Sequence, residues 1–540
     1  MKGLMMDDYP LTLTPLLSRA ELLFPRVTIA SRKPGKSVQY SDYGTLVPRA
    51  RSLAAALLAE GVRPGDRVAT LMWNHSAHLE AYFGVPAAGA VLHTLNLRLP
   101  PDHLAYVVNH AHDRWLLVDD VLLPVLERIR DRIHVDRIVV VPFSGKPVAT
   151  GSEDYEQLLA RHPPAASLPQ IDEDDAAGLC YTSGTTGWPK GILYSHRALV
   201  LHSLASGLTV GLNQGDSVLL VVPMFHVNGW GFPYTLALLG ARQVLPGPHL
   251  DPESLIDLME REQVTLAAGV PSIWFGILET VEKDPTRWKL SPNLRMVVGG
   301  AALPESMARR FAKLGIQAIH GYGLTETSPV ITLGLPKEAA KSWDADRLFA
   351  LKARQGIPLP FVELRLRNED RDLPWDGKTV GELQVRGPWI ARTYFENPES
   401  ADKWTEDGWF KTGDVANIDA EGYVQIVDRI KDLVKSGGEW ISSVALENVL
   451  VGHPAVREAA VIARPDPKWG ERPLAFVVVK EGASVTVEEL RTLLSQQYPN
   501  WWIPDEFRFV ASLPKTSTGK ISKLTLRETL STSSKSPSSA

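Results

Sequence analysis

The chain reads as an α/β protein of more than one domain, and three observations lead there. Its 540 residues exceed what a single hydrophobic core organises. Through residues 216–314 short apolar runs alternate with helical ones, the pattern of parallel strands covered on both faces. Beyond about residue 355 the apolar period drops to two, as in the half-buried strands of a smaller β unit.

In order, a helix is predicted over about 45–60 and a strand over 66–74. Residues 116–120 and 137–141 read as two more buried strands. Gly178-Leu179-Cys180 ends another apolar run, and Ile192-Leu193-Tyr194-Ser195-His196 follows as the next. Strands are then predicted at 217–222, 242–245, 265–270 and 295–298, with helices at 252–263, 271–281 and 304–314. Proline begins each of these helices, where its missing N–H does no harm. Residues 362–367 and 381–386 alternate with period two. From 433 onward helices and strands mix, as expected of an α+β domain of about a hundred residues, and a charged boundary lies at Asp428-Arg429-Ile430-Lys431-Asp432. The Ser-rich segment 531–540 is expected to be disordered.

Hydrophobic residues make up 44% and charged residues 22%, an ordinary globular balance. A net charge of −5 argues against a nucleic-acid partner. One cysteine, Cys180, excludes an intramolecular disulfide and a cysteine-based zinc site. Its place in an apolar strand reads as a small buried hydrophobe rather than a nucleophile. The N-terminus carries no long apolar stretch and no run reaches the ~18 apolar residues of a membrane span. A cytoplasmic protein is expected, with peripheral contact as the one membrane association left open.

The densest chemistry lies in Tyr181-Thr182-Ser183-Gly184-Thr185-Thr186-Gly187-Trp188-Pro189-Lys190-Gly191. Glycines let backbone N–H groups turn toward an anion, hydroxyls add donors, and Lys190 adds a charge. This is the chemistry of a triphosphate cradle. It is not a Walker A loop, because Pro189 precedes the lysine and Gly191 follows it.

Four further constellations follow. The first is Pro223-Met224-Phe225-His226-Val227-Asn228-Gly229-Trp230-Gly231, at the end of an apolar strand where α/β sheets place ligand groups. Read alone, His226 is a core histidine and Trp230 packing. The second joins Gly299-Gly300-Ala301-Ala302-Leu303-Pro304 to His320-Gly321-Tyr322-Gly323-Leu324-Thr325-Glu326-Thr327. Its glycines allow close backbone approach to a flat ring or an acyl chain. Tyr322 offers a face for adenine, Thr325 a donor for phosphate, and Glu326 a hard oxygen for Mg²⁺. The third is Gly408-Trp409-Phe410-Lys411-Thr412-Gly413-Asp414, followed by the charged boundary. The fourth pairs Lys435-Ser436-Gly437-Gly438-Glu439-Trp440-Ile441-Ser442 with Leu513-Pro514-Lys515-Thr516-Ser517-Thr518-Gly519-Lys520-Ile521. On composition alone Lys431 and Lys520 are solvated lysines.

In order and spacing these segments resemble the adenylate-forming superfamily of acyl-CoA synthetases, peptide-synthetase adenylation domains and beetle luciferases, over essentially the whole chain. The resemblance implies an N-terminal adenylation domain, 1–430, of two parallel-rich α/β sheets with a β-barrel subdomain over about 355–428. It implies a mobile C-terminal domain, 431–530, hinged at Lys431. By the same resemblance, Thr182, Ser183, Gly184, Thr185, Thr186 and Lys190 hold the ATP phosphates, and Glu326 with Ser183 holds Mg²⁺. Gly300, Ala301, Gly321, Tyr322 and Gly323 line the nucleotide site, Thr325 reaches the α-phosphate, Asp414 takes the ribose hydroxyls and Arg429 supports the nucleotide. His226, Gly299 and Gly323 lie by the acyl group, and Trp230 gates the acyl tunnel. Lys435, Gly437, Gly438, Glu439 and Trp440 line the channel for the pantetheine arm of coenzyme A. Lys520 serves the first half-reaction.

That reaction joins a carboxylate to AMP with release of pyrophosphate, then passes the acyl group to a thiol. A narrower resemblance, to bacterial medium- and long-chain fatty acyl-CoA synthetases, rests on residues 222–228, 195–203, 435–443, 91–99 and 471–474. That subgroup includes methylthioalkanoate ligases, which these motifs do not separate. The motifs are also compatible with an aryl-acid CoA ligase and with an adenylating enzyme whose acceptor is not CoA. Gly229 stands where relatives often carry Ala. A homodimer is expected from the resemblance, and Trp230, Phe232, Tyr234 and Trp274 are the aromatic residues expected to shape the tunnel.

Overall fold

The computed structural model describes residues 6, 8–182, 187–516 and 520–533. Two large sheets dominate. The first has nine strands in the order 357–358, 330–333, 317–323, 295–298, 266–269, 217–220, 242–245, 28–32 and 38–42. Its six inner strands, 317–323 through 28–32, pair in parallel, and antiparallel strands close both edges. The second has seven strands in the order 153–154, 137–141, 113–119, 67–71, 91–94, 176–181 and 191–195, all parallel except the last pair.

Between them lies the helix Ser76–Ala87, in which every residue from Ala77 onward is buried. It touches strands of both sheets, and a helix buried on all sides has no other stable place. The parallel strands read from the sequence are present, with boundaries moved by a few residues. The helix begun by Pro304 is Glu305–Lys313, so the proline sits at its N-cap rather than inside it. The hairpin Thr28–Arg32 and Val38–Asp42 was not foreseen.

The β unit is a five-stranded antiparallel sheet in the order 371–372, 363–368, 381–386, 410–418 and 424–429. Register shifts interrupt two of its pairings and coil it. Backbone pairing does not close it into the implied barrel among the described residues. The C-terminal segment folds as strands 439–441, 434–436, 470–479 and 456–466, with 506–509 parallel to 470–479. The last helix, Lys523–Ser533, takes in three residues assigned above to a disordered tail. Residues 534–540 lie outside the described residues. No described helix is long and apolar enough to cross a membrane.

Candidate active site

Loops at the carboxyl ends of the parallel strands converge on one cavity, the usual ligand position in such sheets. It measures about 190 Å³ and its wall is largely apolar, with Val222, Phe225 and Ile273 among the lining residues. His226, Trp230, Gly300 and Lys520 line it as well, from separate stretches of sequence.

Strand Ser217–Leu220 delivers the segment bearing His226 and Trp230. From Val227 to Gly231 five consecutive residues hold positive φ, at 45°, 49°, 58°, 57° and 76°. L-residues visit this region singly and at a cost, so five in succession form a strained left-handed turn. The turn buries the Trp230 indole to 8% exposure. The indole lies against Gly299, where a Cβ would stand 2.7 Å from Cη2. Gly299 is therefore glycine because the indole occupies its side-chain space.

Lys520 enters from the C-terminal segment. Its peptide N–H donates to Thr516 Oγ1 at 3.2 Å, and Thr516 N–H donates to the Lys520 carbonyl at 2.7 Å. The side chain then runs past Gly300, whose Cβ would lie 3.2 Å from Lys520 Cε. Burial pushes the Lys520 ammonium down to about 8; Arg429 adds to that, while Asp414 and Glu326 oppose it. His226 is pushed down to about 3 by burial, then by Lys520 and Arg98, so its imidazole is neutral at physiological pH.

The residues expected to take the nucleotide are built on the antiparallel sheet. Asp414 and Arg429 are register partners across strands 410–418 and 424–429. Arg429 Nε donates to Asp414 Oδ1 at 3.0 Å and the Tyr322 hydroxyl donates to Oδ2 at 2.6 Å. Tyr322 comes from strand Gln317–Gly323, which also carries Gly321 and Gly323. The short turn Thr325–Thr327 follows. There the Thr325 carbonyl accepts from Tyr194 at 2.8 Å, and Glu326 Oε1 accepts from Tyr394 at 2.6 Å.

Lys190 Nζ lies 5.0 Å from the centre of the Tyr394 ring and donates to Ser400 at 2.6 Å. Thr182 and Lys190 are tied to each other, since Thr182 N–H donates to the Lys190 carbonyl at 2.9 Å and Lys190 N–H to Thr182 Oγ1 at 3.1 Å. Ser183, Gly184, Thr185 and Thr186 lie outside the described residues. Among the described residues no group of three His, Cys, Asp or Glu side chains could hold a metal alone. Glu326 by itself fits Mg²⁺, which takes one or two carboxylates and completes its shell with substrate phosphates and water.

Not every expected residue is at the cavity. Lys435 through Trp440 belong to the hairpin Val434–Ser436 and Glu439–Ile441, where Lys435, Gly437, Gly438, Glu439 and Trp440 are exposed. Gly437 and Gly438 supply its turn at φ 61° and 88°, as a two-residue hairpin requires. Lys435 Nζ stands 4.6 Å from the centre of the Trp440 ring, which is 46% exposed. Lys431 and Ala301 are exposed too. Cys180 is buried, donates to Asn228 Oδ1 at 3.1 Å and is pushed up by burial to about 11, which makes it inert.

Sequence reasoning gave no role to Tyr394, which links Lys190 to Glu326, or to Arg98. Arg98 shares the cavity and stands 5.7 Å from the centre of the Phe225 ring. Arg98 did fall within a segment quoted above, whereas Tyr394 carried no signal.

Residues 25–395 match the AMP-binding enzyme family, and residues 445–520 match the AMP-binding enzyme C-terminal domain. A long-chain-fatty-acid–CoA ligase of Thermus thermophilus is 50% identical over 528 residues, 97% of this chain and 96% of that one. A 3-methylmercaptopropionyl-CoA ligase of Ruegeria lacuscaerulensis is 43% identical over 98% of both chains. Among solved structures, the anthranilate CoA ligase AuaEII in complex with anthranoyl-AMP superposes with a TM-score of 0.87 at 27% identity, over 98% of this chain and 99% of that one.

Proposed function

The chain belongs to the AMP-binding enzyme family, and from that premise we propose the following chemistry for its site. It is an AMP-forming acid–thiol ligase that converts fatty acids to acyl-CoA. A carboxylate oxygen attacks the α-phosphorus of ATP, the bond to the bridging oxygen breaks, and pyrophosphate leaves. The thiol of coenzyme A then attacks the acyl carbon, AMP departs with the carboxylate oxygen, and the thiol proton passes to solvent.

The observation that carries this reading is the Lys520 ammonium in one apolar cavity with His226 and Gly300. Placed there, a buried cation stabilises the charge that builds on the α-phosphate in the transition state. Neutral His226 donates its ring N–H to the carboxylate without competing as a cation. Asp414 takes the ribose hydroxyls and Arg429 holds it in place. Lys190 and the loop before it steady the departing pyrophosphate. Mg²⁺ bound at Glu326 would supply charge neutralisation on the phosphates.

The division at about residue 430, with a mobile C-terminal domain hinged at Lys431, is part of the same proposal. So are a pantetheine channel lined by the 435–440 hairpin, a homodimer, a cytoplasmic location and peripheral membrane contact. The exposed hairpin supports the mobile-domain reading, since those side chains must travel to reach a thiol in the cavity.

A second reading, a short thioether acid as substrate, has its own support in the Ruegeria relative. Product analysis with ATP, Mg²⁺, CoA and a series of fatty acids plus 3-methylthiopropionate tests both readings. AMP, pyrophosphate and acyl-CoA are expected, and the preferred acid decides between the two readings. ADP as the sole nucleotide product would overturn the reaction class.

The site also implies a pH profile. The Lys520 ammonium is the working form, and it is lost as pH rises through about 8. The kcat/KM for acyl-AMP formation, which reports the free enzyme, is expected to be flat below that value and to fall above it. A profile level well beyond pH 8 would remove Lys520 from that role.

A further inference from the structure

Lys520 owes its place to more than its own loop. Three residues after it, Lys523 opens the last helix, Lys523–Ser533. Lys523 Nζ donates to Ser443 Oγ at 2.7 Å and pairs with Glu447 Oε1 at 2.7 Å. Ser443 in turn donates to Asp428 Oδ2 twice, from Oγ at 2.5 Å and from its peptide N–H at 2.6 Å. Glu447 Oε1 accepts the Val461 N–H at 2.7 Å, which fixes the far end of the pair. Against burial, Glu447 and then Asp428 hold the Lys523 ammonium above its ordinary value.

Asp428 belongs to strand Val424–Arg429, the strand that presents Arg429 to Asp414. A buried chain of polar contacts therefore runs from the nucleotide side of the site to the base of the Lys520 loop. Ser443 and Asp428 are among the buried polar residues, and the Lys523 and Glu447 side chains are 13% and 15% exposed. Contacts this short in a dry environment are held to narrow geometry. A second tie runs beside the first, since Arg527 of the same helix pairs with Asp432 and donates to the Lys431 carbonyl at 3.3 Å. Three residues span at most ~11 Å of extended chain, so the position of Lys523 limits where Lys520 can reach.

We infer that Lys523, with Ser443 and Asp428, is a positioning residue for the adenylation step, fastening the Lys520 loop to the strand that carries Arg429. The inference rests on the adenylation chemistry proposed above. It separates the two half-reactions, because acyl-AMP formation needs Lys520 in the cavity while acyl transfer from acyl-AMP to the thiol does not.

The test measures both half-reactions in the full-length chain and in Lys523→Met, Lys523→Arg and Ser443→Ala. One assay follows pyrophosphate release from ATP, Mg²⁺ and a fatty acid without CoA, and the other follows acyl-CoA formation from synthetic acyl-AMP and CoA. Misplacement by about 1 Å can lower a rate about a hundredfold, so Lys523→Met is expected to slow the first half-reaction by tenfold to a hundredfold. The second half-reaction is expected to change less than about twofold, with Lys523→Arg restoring most of the loss and Ser443→Ala falling between. Equal losses in both half-reactions would mark a merely structural pair and overturn the inference, as would no loss in either. If Lys523→Met does not fold, Ser443→Ala decides alone, because it removes only the bridging hydroxyl. A wild-type chain that forms no acyl-AMP would overturn the reaction itself, whereas active wild type with indifferent variants overturns this inference only.

Discussion

Lys520→Ala is expected to abolish acyl-AMP formation while sparing acyl transfer from preformed acyl-AMP. The ammonium is the one cation that lines the cavity from the C-terminal segment, alongside His226 and against Gly300. Burial has already brought it down to about 8, so the protein bears a desolvation cost to keep a charge there. A charge held at such a cost contributes most where opposing charge develops, on the α-phosphate at the point of attack. Removing one such preorganised group costs roughly 10²–10³ in kcat. Pyrophosphate release without CoA, compared with acyl-CoA formation from synthetic acyl-AMP, gives the answer directly. Full forward activity in the variant would assign the step to another residue.

The second large effect is expected at Asp414. Its side chain is 4% exposed and both its oxygens are engaged, one by Arg429 and one by Tyr322. On the proposed reading a ribose diol approaches those two oxygens, so the carboxylate is oriented before the nucleotide arrives. Hydrogen bonds to a charged acceptor contribute about 1.5–3 kcal/mol each. Asp414→Ala is therefore expected to weaken ATP binding about a hundredfold or more. Asp414→Asn keeps the shape and loses the charge, and is expected to fall between. Titration calorimetry with ATP checks affinity, and a thermal melt separates a binding defect from misfolding. Unchanged ATP affinity in a folded Asp414→Ala would place the ribose elsewhere.

What was legible in the sequence was whatever a short segment determines by itself. Parallel strands such as Leu266–Gly269 and Arg295–Val298 announce themselves because burial on both faces leaves mostly apolar residues between turns. The expectation of a phosphate cradle at 182–191 arose because anion binding demands glycine, hydroxyl and lysine together. The edge strand Val38–Asp42 was missed because its Val-Gln-Tyr-Ser-Asp run faces water along much of its length. Whether the β unit closes depends on pairings between distant strands, which a local period of two does not report. Tyr394 was invisible for a related reason, since its hydroxyl meets Glu326 68 residues away. The network under Lys520 likewise joins residues 428, 443, 447 and 523, which no local pattern connects.

The left-handed turn at Val227–Gly231 also decides which of its positions can drift. At Gly231, φ is 76° and a Cβ would stand 2.7 Å from Nδ1 of the buried His202, so backbone and space both exclude a side chain. At Gly229, φ is 58° but the nearest atom is a proline ring carbon 3.2 Å away, close yet able to yield. Alanine there costs about 1–2 kcal/mol of backbone strain and little else. Val227, Asn228 and Trp230 already bear that strain in this chain. Position 229 is thus permissive and position 231 is closed, so the glycine at 229 relieves a turn whose shape its neighbours dictate.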